Sequence, residues 1–413
     1  MKVLYISTAY SKILEEDFKS QCQRGGALQY ASNTFQHSII DGLLKNHVDF
    51  EVISIPSLPS YPSNYKQLYT KRGTFLYNNQ KVGTSERYCT LAFIKRYSIK
   101  YRLRKYVRNW IKKRGITSEE KFAILTYQPS ASINGALTTL KKKYSGMVIG
   151  TIVADFYDYN AIMEYARKNY GLLKRIQSHI ESKGELKIYP SIDKYILLTE
   201  AMQEGIPEAV GHNIVMEGLA NEDWISDTII DKSQDSEKIV AYTGQLGPNS
   251  CVNKLVDAFM LTDNANYRLV ITGKGLYTDY IIEQAKKDSR IIYKGIVTRE
   301  EMLDVQRKAT LLVNPRTPST GMTRFSFPSK IMEYMAAGTP VLTYKLDGIP
   351  DEYYDVCYFI DKEGLQELAD KLEEILTKPI EELKARAEAA LFFLKTKKVA
   401  SIQVARIIDF LKQ

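Results

Sequence analysis

The chain has 413 residues, 44% hydrophobic and 25% charged, and a formal net charge of +9. That length exceeds one ordinary core, so two globular domains are expected. No apolar run reaches the roughly 20 residues that cross a bilayer, and the opening MKVLYIS reads as strand and loop without the apolar core of a signal peptide. Four cysteines (Cys22, Cys89, Cys251, Cys357) lie far apart with no CxxC. This argues against a disulfide framework or zinc site and for a reducing, cytoplasmic setting.

In chain order, 3–7 reads as a buried strand. Gly25 and Gly26 form the loop after it, 27–44 a helix and 50–55 a second strand. Residues 58–90, rich in Tyr, Ser, Asn and Lys, read as a polar excursion. From 95 to 114 there are ten basic residues and no acidic one, with Ile99, Leu103, Tyr106, Val107 and Trp110 on one helical face. That pattern describes either an element for an anionic membrane surface, peripheral on its cytoplasmic side, or a helix docked on its own domain. No nucleic-acid motif accompanies the charge, so no nucleic-acid partner is expected. Strands at 122–126, 147–153, 195–199 and 214–216, with a helix at 134–142, continue the βαβα alternation of a parallel sheet.

Residues 221–237 are polar and acidic and read as a linker. A second alternation follows. Strands are expected at 239–242, 267–272, 291–293, 311–314 and 340–344. Helices are expected at 252–261, 278–288, 299–308 and around Lys330 and Glu333, then at 364–376 and 380–412. The expected class is α/β, two Rossmann-like doubly wound domains facing across a cleft, with ligand at the carboxyl ends of the strands. Their bounds are set at 1–220 and 238–385, with 386–413 as a terminal helix.

Three glycine loops follow strands of the second half: Gly244-Gln245-Leu246-Gly247, Gly273-Lys274-Gly275, and the loop holding Gly321. One such loop is what any α/β protein has, whereas three at successive strand ends converge on one edge. The last runs into a short helix, whose free amides bind phosphate. Lys330 and Glu333 share a face of that helix. They are either an exposed ion pair or a diphosphate contact and a ribose-diol acceptor. Arg316 and Arg324 flank the loop, either as solvated charges or as groups that neutralise a leaving diphosphate. In the first half, Arg24-Gly25-Gly26 precedes a helix start, and is either an ordinary strand–helix turn or a place where the backbone approaches a phosphate or sugar. Asp155 and Asp158 are candidates for acid–base chemistry or are helix caps. The role of Glu217 and Gly218 is open. The four histidines do not cluster, and no nucleophilic triad, metal-ligand spacing or Walker loop is present.

The layout resembles the retaining glycosyltransferases of family 4, which have the GT-B fold. YTGQL…LVDAF, YRLVITGKG, RIIYKGIV, LLVNPR and FPSKIMEYMAAGTPVLT occur between 239 and 350 in family order. VADFYDY, DKYILLTEAM and the 25–26 loop are weaker matches.

The resemblance implies transfer of a sugar from a nucleotide diphosphate, UDP favoured, to a saccharide or lipid-linked saccharide in surface polysaccharide or glycoconjugate synthesis. It implies no cofactor and no metal. Glu333 matches the glutamate that holds the ribose hydroxyls. Arg324, Phe325, Ser326 and Phe327 match the segment touching sugar and diphosphate. Gly273 and Val297 border the base, and the terminal helix braces the first domain. The pattern is broken in three places. Phe325 stands where the family often has a glutamate, Gln245 and Ser250 stand where it has Arg and Lys, and no histidine lies near Asp155. Phosphate neutralisation would then fall to Arg316, Arg324 or Lys330. A nucleotide-sugar epimerase and a non-catalytic partner of another transferase are the other classes that fit.

Overall fold

A computed structural model describes residues 1–22, 29–155, 171–230, 236–320 and 323–413. Gly25, Gly26, Asp158 and Gly321 lie outside them. The chain forms two compact units, Met1–Met216 with Ala400–Gln413, and Glu217–Val399. The expected linker therefore folds with the second unit where it is described. So do residues 386–399, which were expected to leave it with the terminal helix.

In the first unit, β1 (Val3–Ser7), β2 (Phe50–Ser54), β3 (Gly73–Tyr77), β4 (Gln80–Ser85), β5 (Phe122–Tyr127), β6 (Met147–Val153), β7 (Lys194–Leu197) and β8 (Asn213–Val215) form one sheet. Its order is β3-β4-β2-β1-β5-β6-β7-β8. Only β3 runs antiparallel to its neighbour. Every residue of β1 and β5 is buried, as a strand covered on both faces requires, and that is why these strands read as unbroken apolar runs.

The 58–90 stretch is not simply a polar excursion, because β3 and β4 lie within it. Asn78 and Asn79 both take left-handed conformations (φ 46° and 61°) and close the hairpin, as two-residue turns demand. A Cβ at Gly83 would lie 1.8 Å from the Val52 carbonyl oxygen, so β4 reaches β2 only as glycine. The helix Lys12–Gln21 was not expected either. It buries Leu14 and Phe18 against Tyr10, Leu58 and Tyr65.

The basic run is the helix Ala92–Lys113, which buries Ile99, Leu103, Val107, Trp110 and Ile111. The apolar stripe noted in the sequence is thus the face that joins the core. Tyr106 at its margin donates to Glu51 Oε1 (2.6 Å).

Residues 380–412 are not one helix. Ile380–Phe393 passes into a π-helical turn, Leu394–Lys398, and the extended Val399 (ψ 154°) separates it from Ala400–Lys412. The last helix lies on Tyr30–Lys45 in the first unit. Gly42 admits it closely, since a Cβ there would stand 2.5 Å from Ala400 O.

The second unit is a sheet of β9 (Lys238–Thr243), β10 (Tyr267–Thr272), β11 (Ile291–Tyr293), β12 (Leu311–Asn314), β13 (Val341–Tyr344) and β14 (Tyr358–Ile360). Its order is β11-β10-β9-β12-β13-β14, parallel throughout. Counted within the unit this is 3-2-1-4-5-6, whose winding reverses between β9 and β12. The edge strand β14 was not expected from the sequence.

Candidate functional site

Ligands of such sheets bind beyond the carboxyl ends of the strands, where the winding reverses. There the second unit has a cavity of 270 Å³ lined by Tyr242, Gln245, Ser250, Arg316, Phe327 and Lys330, among others. Gln245 and Ser250 come from the loop after β9, Arg316 from the loop after β12, Phe327 from the segment just before the helix Lys330–Ala336, and Lys330 from its first position. A larger hollow of 580 Å³ in the first unit is bordered by Asp49, Glu51, Arg72 and Arg114. Asp49 precedes β2, so this hollow lies at the amino end of that strand, and Arg114 Nη1 is paired with Asp49 Oδ1 (2.6 Å).

Two of the glycine loops pack back to back. Gly244 (φ 132°) and Gly273 (φ 126°) hold conformations closed to other residues, and a Cβ on Gly273 would fall 1.8 Å from Gly244 O. The Gly273 amide donates to Gly295 O (2.7 Å). The loops after β9, β10 and β11 are therefore stitched side by side. Half-buried Val297 lies in the last of them, and Lys274 is exposed.

Thr243, the last residue of β9, is gripped by the helix that follows the third loop. Lys330 Nζ donates to Thr243 O (2.8 Å) and lies 4.8 Å from the centre of the Tyr242 ring. Tyr334 Oη donates to Thr243 O (3.1 Å) and accepts from Thr243 N (3.0 Å). Lys330 thus forms no surface ion pair with Glu333. Burial lowers the pKa of its ammonium from the ordinary lysine value, and Glu333 opposes that shift.

Glu333 lies three residues on. Gln306, fully buried, donates to Glu333 Oε1 (2.6 Å) and to Thr243 Oγ1 (2.8 Å). A carboxylate can only accept, so the Gln306 NH2 faces it, and Gln306 Oε1 is left buried without a partner. The second oxygen of half-buried Glu333 can accept from a diol. Sequence reasoning missed Gln306; the available signal was a glutamine set among the apolar positions Met302, Val305 and Ala309. It also missed Arg299, which stacks on Trp224 at 4.0 Å and feels the charge of Glu333.

The amide argument narrows. Lys330–Ala336 has seven residues, and the Ile331 and Glu333 amides are spent on Pro328 O (2.9 Å) and Ser329 O (3.3 Å). With two of its leading amides already bonded, the helix start offers fewer donors to an anion, and side-chain charge gains weight. Arg316 is half-buried in the cavity wall, its Nε has no hydrogen-bond partner, and burial lowers its pKa. Arg324 is exposed, 6.0 Å above the Phe325 ring. Arg324, Phe325 and Ser326 do not line the cavity. The loop is anchored by Glu363, which accepts from Ser319 N and Ser319 Oγ (2.7 Å each).

Phe327 leads to a buried charge cluster. Its ring lies 5.2 Å from that of Tyr353, whose Oη donates to Glu217 Oε1 (2.8 Å). Glu217 and Lys398 form an ion pair with side chains 3% and 4% exposed. Gly218 packs on Met332 of the site helix, where a Cβ would meet Sδ at 2.9 Å. In the first unit, Asp155 follows β6, and Gln128 Oε1 accepts from the Ala154 and Asp155 amides (2.9 and 3.0 Å).

Residues 237–378 match the family described as "Glycosyl transferases group 1". Among curated proteins none matches. Several solved structures are similar over the whole chain. The lipopolysaccharide outer core galactosyltransferase WaaB in apo form aligns at 14% identity with TM-score 0.61, covering 100% of both chains. An E. coli trehalose-6-phosphate structure bound with UDP-2-fluoro glucose aligns at 10% with TM-score 0.63, covering 100% of this chain and 99% of the other. A mutant of S. aureus TarM in complex with fondaparinux, alpha-GlcNAc-glycerol and UDP aligns at 10% with TM-score 0.57, covering 100% of both. Identities this low carry the fold alone. The chain has the GT-B fold of two Rossmann-like domains, and residues 237–378 of its second unit are similar to the group 1 glycosyl transferases.

Proposed function

We propose that the protein is a retaining glycosyltransferase that moves a sugar from a nucleotide diphosphate, UDP in the first instance, to a saccharide or lipid-linked saccharide. The observation that carries this reading is Glu333, held by Gln306 with one oxygen open, three residues along the helix from Lys330, which with Arg316 walls a cavity at the reversal of a doubly wound sheet; Glu333 itself lies outside that cavity's lining. A carboxylate for a diol and two cations for a diphosphate match a nucleotide diphosphate in one site. The UDP in the TarM structure and the UDP-2-fluoro glucose in the E. coli structure favour uridine. Retention of configuration and the acceptor class rest on the family resemblance.

In this reading the bond from the anomeric carbon to the diphosphate breaks as the acceptor oxygen bonds to that carbon. The acceptor proton passes to a departing phosphate oxygen. Lys330 and Arg316 stabilise the charge that grows on the diphosphate, in a wall that holds them before reaction. Gln245 and Ser250 line the same cavity as uncharged groups, so the cation work falls to these two side chains.

Calorimetry with UDP and GDP tests the reading. UDP binding is expected, weaker in Glu333→Ala by about 1–3 kcal/mol, the range for a lost charged hydrogen bond. Absence of binding by either nucleotide overturns it. Sugar conversion without acceptor would establish the epimerase class instead.

A further inference from the structure

The helix Ala92–Lys113 has a second face. Phe93, Tyr97 and Tyr101 are 69%, 63% and 68% exposed, and Ile94 is exposed beside them. Ile94, Tyr97, Tyr101, Lys105, Arg108 and Lys112 follow one another at spacings of three and four, so they form a single stripe. The stripe is aromatic and aliphatic in its first half and cationic in its second. It lies away from Ile99, Leu103, Val107 and Trp110, which hold the helix to the first unit. Among the described residues, Lys105, Arg108 and Lys112 have no acidic partner, and the helix itself has no acidic residue. Tyr69, also exposed, lies next to it: it bridges to Cys89, whose amide donates to Ser98 Oγ of the helix (2.9 Å).

Four large apolar side chains in water on two turns of one helix are an unusual exposure for a soluble surface. Aromatic rings next to lysine and arginine are the composition of helices that lie in the headgroup region, rings at the acyl boundary and cations on the phosphates. The cationic half selects an anionic surface over a neutral one. We propose that this exposed stripe, from Phe93 to Lys112, docks the first unit on the surface of an anionic bilayer, with Phe93, Ile94, Tyr97 and Tyr101 entering the interface. The helix does not span: no described helix is long and apolar enough to cross a membrane. The docking depends on no residue of the donor cavity, so it stands or falls separately from the transferase reading.

Vesicles of phosphatidylcholine with and without phosphatidylglycerol, mixed with the full chain, test it. Sedimentation with the anionic vesicles is expected, and little with the neutral ones. Replacing Lys105, Arg108 and Lys112 together with Ser should weaken binding at low salt by roughly a hundredfold, three cations' worth. Replacing Phe93, Tyr97 and Tyr101 with Ser should abolish the part of the binding that survives high salt. Both sets are surface positions, so circular dichroism and the melting temperature should not change. Separately, Tyr97→Trp should show a blue-shifted emission quenched by brominated lipids. Three results overturn the proposal: equal binding by all variants, no blue shift with anionic vesicles, or self-association of the chain that consumes the stripe without lipid.

Discussion

Lys330 and Gly244 contend for one place. A Cβ at position 244 would lie 1.7 Å from Lys330 Nζ, so the lysine reaches Thr243 O across a backbone that carries no side chain. The glycine is doubly required, since its φ of 132° is also closed to other residues.

Gly244→Ala should therefore act on both stability and site. Backbone strain at such a residue costs about 1–3 kcal/mol, and Lys330 must swing away from Thr243. The expected outcome is a lower melting temperature together with weaker UDP binding. A variant with unchanged nucleotide affinity would separate Lys330 from the site.

Arg316→Met tests the cation at the cavity wall. If the guanidinium meets charge that grows during transfer, kcat should fall on the order of a hundredfold to a thousandfold. Nucleotide affinity should fall less. A comparable loss on Arg324→Met, at a position outside the cavity lining, would move the role to that loop.

Lys398→Met leaves Glu217 charged, nearly unexposed and without its cation. Breaking a buried pair on one side costs about 3–5 kcal/mol. Urea unfolding should show that loss, and Glu217→Gln added to Lys398→Met should restore part of it. Because Tyr353 links Glu217 to Phe327, the single variant should also weaken nucleotide binding more than its stability loss alone explains.

Asp288 supplies a pH test of the second unit. The Arg290 guanidinium bonds it at 2.7 Å (Nη2 to Oδ2) and holds its carboxyl below the usual carboxylate value. A depressed folded value means that the stabilisation is complete above the unfolded carboxylate value, about 4. It is lost as pH falls through the lower folded value. Asp288→Asn should be less stable than the parent at pH 7, and the gap should close as both are acidified. A gap that stays constant with pH would show that the ion pair contributes nothing.

Much of the fold is legible in the residues. Strands such as VLYIS and FAILTY are buried on both faces and so read as apolar runs. The glycines at 244 and 273 mark real strand ends, and Lys330 and Glu333 do share one helix. What was misread was local pattern without its partner. The strands in 58–90 look polar because Gln80 and Lys81 face solvent and buried positions of β4 are taken by Gly83 and Ser85 rather than by large apolar residues. The apolar stripe at 99–110 looked available for a membrane until the fold covered it, whereas the rings at 93, 97 and 101 recur at helical spacing as well, and only packing shows that this face is the one left uncovered.

The sequence alone determined two wound sheets, most of their strands, and the helix that presents Lys330 and Glu333, because hydrophobic period and glycine placement are local properties. Only the tertiary structure decided that Lys330 grips Thr243, that Gln306 orients Glu333, and that Glu217 and Lys398 meet in the interior. Those partners lie 27 to 181 residues apart. A contact over that span exists only once packing has expelled water and brought the groups to hydrogen-bond distance.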